Sequence, residues 1–413
     1  MTPEQILAQP LTIGGSIVKN RIAKSAMSEQ LGATNNSPTE KLERLYGAWA
    51  DGGLGLCFTG NVMIDRKAIG EPNNVVVEDD SDLDLLKRWA TAGSRNGAHL
   101  WMQLNHPGKQ SPKGLNRETV SPSAIPFRKD MQSFFATPRA LEASEIEAIV
   151  ARFGRSAAIA KQAGFHGVQI HGAHGYLVNQ FLSPHHNQRD DDWGGSAQKR
   201  RRFVLAVLAE MRKQVGAAFP IGIKLNSADF QRGGFTEDES LDTIRALVEA
   251  GIDLVEISGG TYETPAMTGI LKESTRAREA YFLEFAEKAR TAVKVPLMLT
   301  GGFRTLKGMS EAVSSGAVDL VGLARPLALE PDLPARVLSG HDPLHQVRPI
   351  VTGIRFVDGS GLMETTWYSR QLRRIGSGRA PRPNESGLAA FAGGLIENGW
   401  HTFKTRRLRA ATS

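Results

Sequence analysis

Short apolar runs, each closed by glycine or a polar residue, alternate with longer amphipathic stretches along this chain through about residue 340. The runs fall at residues 21–26, 54–59, 99–104, 167–170, 221–225, 254–257, 297–299 and 320–323. A run that is apolar throughout is the pattern of a strand covered on both faces, as in a parallel sheet. The stretches between them have helical periodicity. One starts at Ser144, where Glu147 completes a capping box, and sets Ile146, Ile149, Val150, Phe153 and Ala157 on one face. Another follows Ser196 and carries Phe203, Val204, Val207, Leu208, Met211 and Val215 at helical spacing. Strand–helix alternation predicts an α/β fold with a parallel sheet, and eight repeats predict a closed (β/α)8 TIM barrel over residues 1–345. A doubly wound open sheet is the alternative, weakened because no Gly-x-Gly-x-x-Gly follows the first strand. Residues 346–413 read as a C-terminal extension. They hold a short helix from Trp367, packed on the barrel's outside, and a basic, solvated tail at Lys404–Arg409.

In such a barrel the C-terminal strand ends converge on one site, so polar residues there are the candidates for chemistry. The stretch from Phe165 to Ser196 delivers His171, His174 and Tyr176 just after the fourth run. Two imidazoles can hold a carbonyl or phenolate oxygen by N–H donation, and a phenol can supply a proton. Zinc is the other reading of the histidine pair, although no third ligand of obvious spacing follows. Lys224 lies inside the fifth run, where a charge facing the barrel interior is costly unless an anion partners it. A desolvated lysine there is also a Schiff-base candidate. Thr300-Gly301-Gly302-Phe303-Arg304 and Gly322-Leu323-Ala324-Arg325 close the last two runs. Glycine admits backbone N–H groups to a phosphate, and the loops after strands 7 and 8 are the usual phosphate site of these barrels.

The string His-Gly-Ala-His-Gly-Tyr-Leu-x-Asn-Gln-Phe-Leu-Ser-Pro, followed by Asn-x-Arg-x-Asp and Trp-Gly-Gly-Ser, resembles the signature of the old yellow enzyme family of FMN-dependent NAD(P)H:flavin oxidoreductases. The resemblance spans approximately residues 5–340. It implies FMN as cofactor and NADH or NADPH as reductant. Ala26 and Met27 would then offer backbone contacts to the flavin, with Ser28 where the family has Thr or Cys. Asn61 replaces a small residue at the flavin edge. Gln103 would pair with the pyrimidine ring, and Lys224, where the family generally has Arg, would lie by the N1–C2 carbonyl edge. Gly301, Gly302, Phe303, Ala324 and Arg325 would hold the phosphate. The implied reaction is that of an ene-reductase: a hydride passes from flavin N5 to the β-carbon of an activated alkene. His171 and His174 hold the electron-withdrawing group, and Tyr176 protonates the α-carbon.

Composition narrows the rest. Of the 413 residues 41% are hydrophobic and 23% charged, ordinary for a chain with a large core. The net charge of +7 suits anionic ligands but does not by itself point to nucleic acid. Cys57 is the sole cysteine, which rules out an intrachain disulfide and a four-cysteine iron–sulfur cluster. No apolar run approaches the roughly 18–20 residues that span a bilayer, and Met1–Pro10 has no secretory pattern, so the cytoplasm is the expected compartment. A homo-oligomer is compatible with all of this. The loop from Lys109 to Arg139 carries Phe127, Phe134 and Phe135, candidates for a substrate wall. Tyr262, Arg276, Arg278 and Tyr281 are candidates to cover the substrate or reach a nicotinamide. Two rivals stand beside the ene-reductase: a lysine-dependent aldolase on the same barrel, and a non-catalytic anion-binding module using the basic tail.

Overall fold

The computed structural model describes residues 1–261, 263–264, 279–345, 347, 350–353 and 362–393. Eight parallel strands form the barrel: β1 Ile22–Lys24, β2 Leu56–Phe58, β3 His99–Asn105, β4 Gly167–Gly172, β5 Ile221–Asn226, β6 Leu254–Ser258, β7 Leu297–Thr300 and β8 Leu320–Leu323. Each pairs with the next, and β8 pairs with β1, which closes the ring. All eight fall on the apolar runs of the sequence. The open-sheet alternative is thereby excluded.

Helices cover the outside: α1 Glu40–Asp51, α2 Leu83–Gly93, α3 Ala143–Gln162, α4 Ala197–Val215, α5 Glu237–Glu249, α6 Leu283–Ala292, α7 Leu306–Ser314 and α8 Leu333–Leu338. In α4, Ser196 caps the N-terminus by accepting from the Lys199 N–H, and the six apolar residues read from the sequence are all buried. The start of α3 differs from expectation. Its N-cap is Glu142, and the capping bond runs from the Glu142 N–H to the Glu145 carboxylate at 2.8 Å. Arg139 grips that same carboxylate at 2.8 Å, which fixes the first turn two residues ahead of the Ser144/Glu147 frame.

Alternation along each strand divides its side chains between two environments. Outward residues such as Leu100, Ile170, Ile223, Ile257 and Leu299 pack beneath the helices in the main core. Inward residues form a second, separate apolar layer of Ala23, Leu56, Phe58, Trp101, Leu254, Met298 and Leu320. Trp101 fills this layer; a Cβ on Gly167 would come within 2.5 Å of its indole, so β4 has no room for a side chain there. An antiparallel hairpin, Leu11–Ile13 with Ser16–Val18, joins the layer through Ile13 and Val18 and plugs the bottom of the barrel. One step higher, the inward positions turn polar: Ser25, Gln103, Gln169, Lys224, Glu256 and Thr300, the first of them just past the end of β1. An apolar floor beneath a polar upper layer leaves the C-terminal mouth as the place for chemistry.

The extension's helix packs against α1, on the outer helical layer of the barrel. This helix, α9 Leu362–Gly376, buries Met363, Trp367, Tyr368 and Leu372 in the main core and donates Ser369 Oγ to the Ser28 carbonyl at 2.9 Å. The basic tail at 404–409 lies outside the described residues. No helix among the described residues is long and apolar enough to cross a membrane.

Candidate active site

A cavity of about 510 Å3 opens at the C-terminal mouth of the barrel. Ala26, Met27, Ser28, Asn61, Gln103, His171, His174, Tyr176, Lys224, Gly301, Gly302, Phe303, Ala324 and Arg325 all line it. Residues from seven different strand ends thus meet in one space. Ser25, Glu71 and Ser258, together with Glu364, Thr365 and Tyr368 of α9, join them on the lining, none of them a candidate from sequence. The phenylalanines of the 109–139 loop do not. Phe127 and Phe135 are buried against one another, ring centroids 4.6 Å apart, while Phe134 is exposed. Lys109 stacks on Phe127 at 4.2 Å and reaches Glu263 at 3.5 Å, so this aromatic pair serves the loop's own packing. Tyr281 lines the cavity, whereas Tyr262, Arg276 and Arg278 lie outside the described residues.

His171, the last inward residue of β4, has its ring 4.6 Å from Tyr176 and 5.3 Å from His174, both edge-on. The turn between them is tight: His174 takes φ +62° and Gly175 φ +79°. Such a backbone persists only when its surroundings hold it. Asn179 Oδ1 accepts from the Gly175 N–H at 2.7 Å, and Gln180 Nε2 donates to the Gly175 carbonyl at 2.7 Å. The Asn-Gln of the signature is therefore the brace for the turn. Its second half is structural too. Asn187 Nδ2 ties the carbonyls of Phe181 and Trp193, and Arg189 ties those of Pro122 and Leu141.

Both imidazoles are neutral. Burial, then the neighbouring His174 ring and the Lys224 ammonium, hold His171 well below the ordinary histidine value. Burial and Lys224 do the same to His174. His171 Nδ1 accepts from the Ala173 N–H at 3.4 Å, which leaves Nε2 as its donor. His174 Nε2 meets Ser258 Oγ at 2.8 Å, which leaves Nδ1 for a ligand.

Lys224 has the anionic partner that its place in an apolar strand demands, a residue not among the candidates from sequence. Glu256, inward on β6 and fully buried, lies 3.0 Å from Lys224 Nζ. Burial alone would raise the Glu256 carboxyl. Lys224 and hydrogen bonds from Ser25, Thr300 and Gln169 outweigh it and bring the group below the ordinary carboxylate range. The signal was present: a glutamate inside Leu-Val-Glu-Ile-Ser is as conspicuous as a lysine inside Ile-Gly-Ile-Lys-Leu.

On the opposite wall Gly301 and Gly302 take φ +128° and +88°, and a Cβ on Gly302 would stand 2.7 Å from the Tyr281 ring. Arg325 follows β8 and reaches Glu364 of α9 at 3.3 Å. Ser28 hydrogen-bonds the half-buried Glu71, whose carboxyl is pushed up by its partial burial. The residues present fit a flavin mononucleotide. A donor–acceptor amide and a cation stand in the barrel's upper layer, and two glycines and an arginine line the cavity after β7 and β8, where phosphate belongs in such barrels.

The comparisons with known proteins agree with this geometry. The family model for the NADH:flavin oxidoreductase / NADH oxidase family matches residues 6–342. An NADH-dependent flavin oxidoreductase of Hypocrea jecorina (strain QM6a) is 37% identical over 360 residues, covering 81% of this chain and 89% of that protein. One of Neonectria sp. (strain DH2) is 38% identical over 353 residues, 79% of this chain; the match spans only 46% of that longer protein. Among solved structures, morphinone reductase in complex with tetrahydroNAD superposes with a TM-score of 0.69 at 26% identity, covering 81% of this chain and 90% of the other. Family membership carries FMN with it, and NADH or NADPH as the reductant. With the family match running the length of the barrel and a relative 37% identical over 81% of this sequence, the chain belongs to the NADH:flavin oxidoreductase family of old yellow enzyme type.

Proposed function

We propose that this protein is an ene-reductase, acting on the activated C=C bond of an α,β-unsaturated carbonyl or related compound. The observation that carries the reading is the grouping of two neutral imidazoles and a phenol on the lining of a cavity whose other side chains suit FMN. Arg325 and the Gly301–Gly302 backbone would hold the phosphate, Gln103 the pyrimidine edge, and Ala26, Met27 and Ser28 the flank. FMN, when bound and reduced by NADH or NADPH, supplies the hydride. His171 and His174 each donate an N–H to the substrate's carbonyl oxygen and stabilise the charge that builds on it. Their neutrality suits the task, since a neutral ring keeps one donor nitrogen free while its other nitrogen is held by the protein. Tyr176, buried against His171, carries the proton for the α-carbon.

Lys224 counts against the aldolase rival. An imine-forming lysine sits in an apolar pocket or beside another cation, and Lys224 sits against a carboxylate. Tyr176→Phe tests the reading. Positioned general acids contribute about 10²–10⁴ in rate, so alkene reduction should slow by at least about 100-fold while reduction of FMN by NAD(P)H changes little. Equal loss in both half-reactions, followed by stopped-flow absorbance, would remove Tyr176 from the proton-donor role.

A further inference from the structure

The polar upper layer of the barrel contains a hydrogen-bonded chain with a fixed direction. Glu256 Oε2 accepts from Gln169 Nε2 at 2.8 Å, and Gln169 Oε1 accepts from Gln103 Nε2 at 2.8 Å. Glu256 Oε1 is engaged separately by Ser25, by Thr300 at 2.7 Å and by Lys224 at 3.0 Å. All three members of the chain are buried.

A carboxylate only accepts hydrogen bonds. It therefore draws the NH2 end of Gln169 toward itself and turns the Gln169 carbonyl to Gln103. That carbonyl draws the NH2 end of Gln103 in turn. The Gln103 carbonyl is left pointing away from the chain, in a residue that lines the cavity. The reverse order would set two acceptors face to face, Gln169 Oε1 against Glu256 Oε2, in a space where an unmade hydrogen bond is costly.

We propose that Glu256 is a positioning residue: by orienting Gln169, and through it Gln103, it presents a carbonyl to the cavity that selects an imide N–H, the N3–H of the flavin. The inference rests on the reading that the cavity binds FMN. It adds a residue two hydrogen bonds away from the ligand, with a chemical reason for its being an acid. A glutamine at 256 has nearly the same shape but carries a donor as well. It permits the whole chain to invert, with the Gln103 NH2 end turned to the ligand.

The test uses full-length protein stripped of flavin and titrated with FMN labelled with ¹⁵N at N3. The readouts are flavin fluorescence quenching for affinity and the ¹⁵N-edited proton signal of N3–H for the bond itself. Wild type should bind FMN and show a downfield N3–H signal protected from solvent exchange. In Glu256→Gln that signal should lose its protection and the FMN Kd should rise about tenfold, the loss of one hydrogen bond. Glu256→Gln also leaves Lys224 without its anion, so Gln169→Met serves as the second variant. It breaks the chain in the middle, keeps the ion pair and should give the same two changes. An unchanged signal and a Kd within twofold in both variants overturn the proposal. A change in Glu256→Gln with none in Gln169→Met also overturns it, because Glu256 would then act through Lys224. Failure of the wild type itself to take FMN would overturn the FMN reading and this inference together, a result distinct from either of those.

Discussion

Replacing Lys224 by methionine isolates the forces inside the barrel mouth. The substitution keeps the length of the side chain and removes the cation 3.0 Å from Glu256. Breaking a buried ion pair from one side costs about 3–5 kcal/mol, because an uncompensated charge stays behind. Glu256 keeps hydrogen bonds from Ser25, Thr300 and Gln169, so the loss should sit at the lower end, about 3 kcal/mol. The double variant Lys224→Met/Glu256→Gln removes both charges and should recover at least half of that loss. The pH dependence carries a sign. In the wild type the Glu256 carboxyl titrates below its ordinary range. Its contribution is present above the unfolded value of about 4.3 and disappears as pH falls through the lower folded value. Without Lys224, burial prevails and lifts the folded value above the unfolded one. The single variant should then lose stability as pH rises through that raised value, opposite to wild type. Urea unfolding of flavin-free protein at pH 5 and pH 7, followed by tryptophan fluorescence, measures both effects. A Lys224→Met protein within about 1 kcal/mol of wild type, or a double variant no more stable than the single, would refute the pairing argument.

Other perturbations probe the remaining walls of the site. Arg325→Ala should raise the FMN Kd by about tenfold or more, as loss of a charge-assisted contact implies; unchanged retention on dialysis would count against the phosphate assignment. Gly302→Ala places a Cβ at φ +88° and 2.7 Å from Tyr281. It should lower both thermal stability and flavin retention, and a protein indistinguishable from wild type in both would show that the cradle is not needed. Burial depresses His106, to about 4, as well as His171, His174 and His186. Stability from such groups is full above the unfolded value of about 6.5 and falls as pH drops below it. The unfolding midpoint should therefore decline steadily from pH 7 to pH 5, and a flat profile would mean that these rings are not buried in neutral form.

The barrel was legible because each strand is covered on both faces, so its apolar run stands out from the helical stretches around it. Residues at strand ends were legible as chemistry for the same reason: a histidine or a lysine breaks such a run visibly. Glu256 and Gln169 break their runs in the same way, yet a polar residue mid-strand announces only that it has a partner. Which partner follows from the strand order and register, which set β3, β4, β5 and β6 side by side, with Gln103 beside Gln169 and Lys224 beside Glu256. The lining from α9 was hidden for a different reason. Its periodicity marks a buried face, but Glu364 and Thr365 reach the cavity only because the helix packs back over the barrel mouth, a long-range event with no local signature. The start of α3 was misread by two residues because Arg139, outside the helix, decides which glutamate caps it.

The account depends most on a flavin seated in the barrel mouth. Flavin-free protein reconstituted with excess FMN and then freed of unbound ligand measures this directly, through the flavin absorbance released on heat denaturation. The prediction is about one FMN per chain, lost in part with Arg325→Ala. A folded protein that retains none after reconstitution would contradict the account.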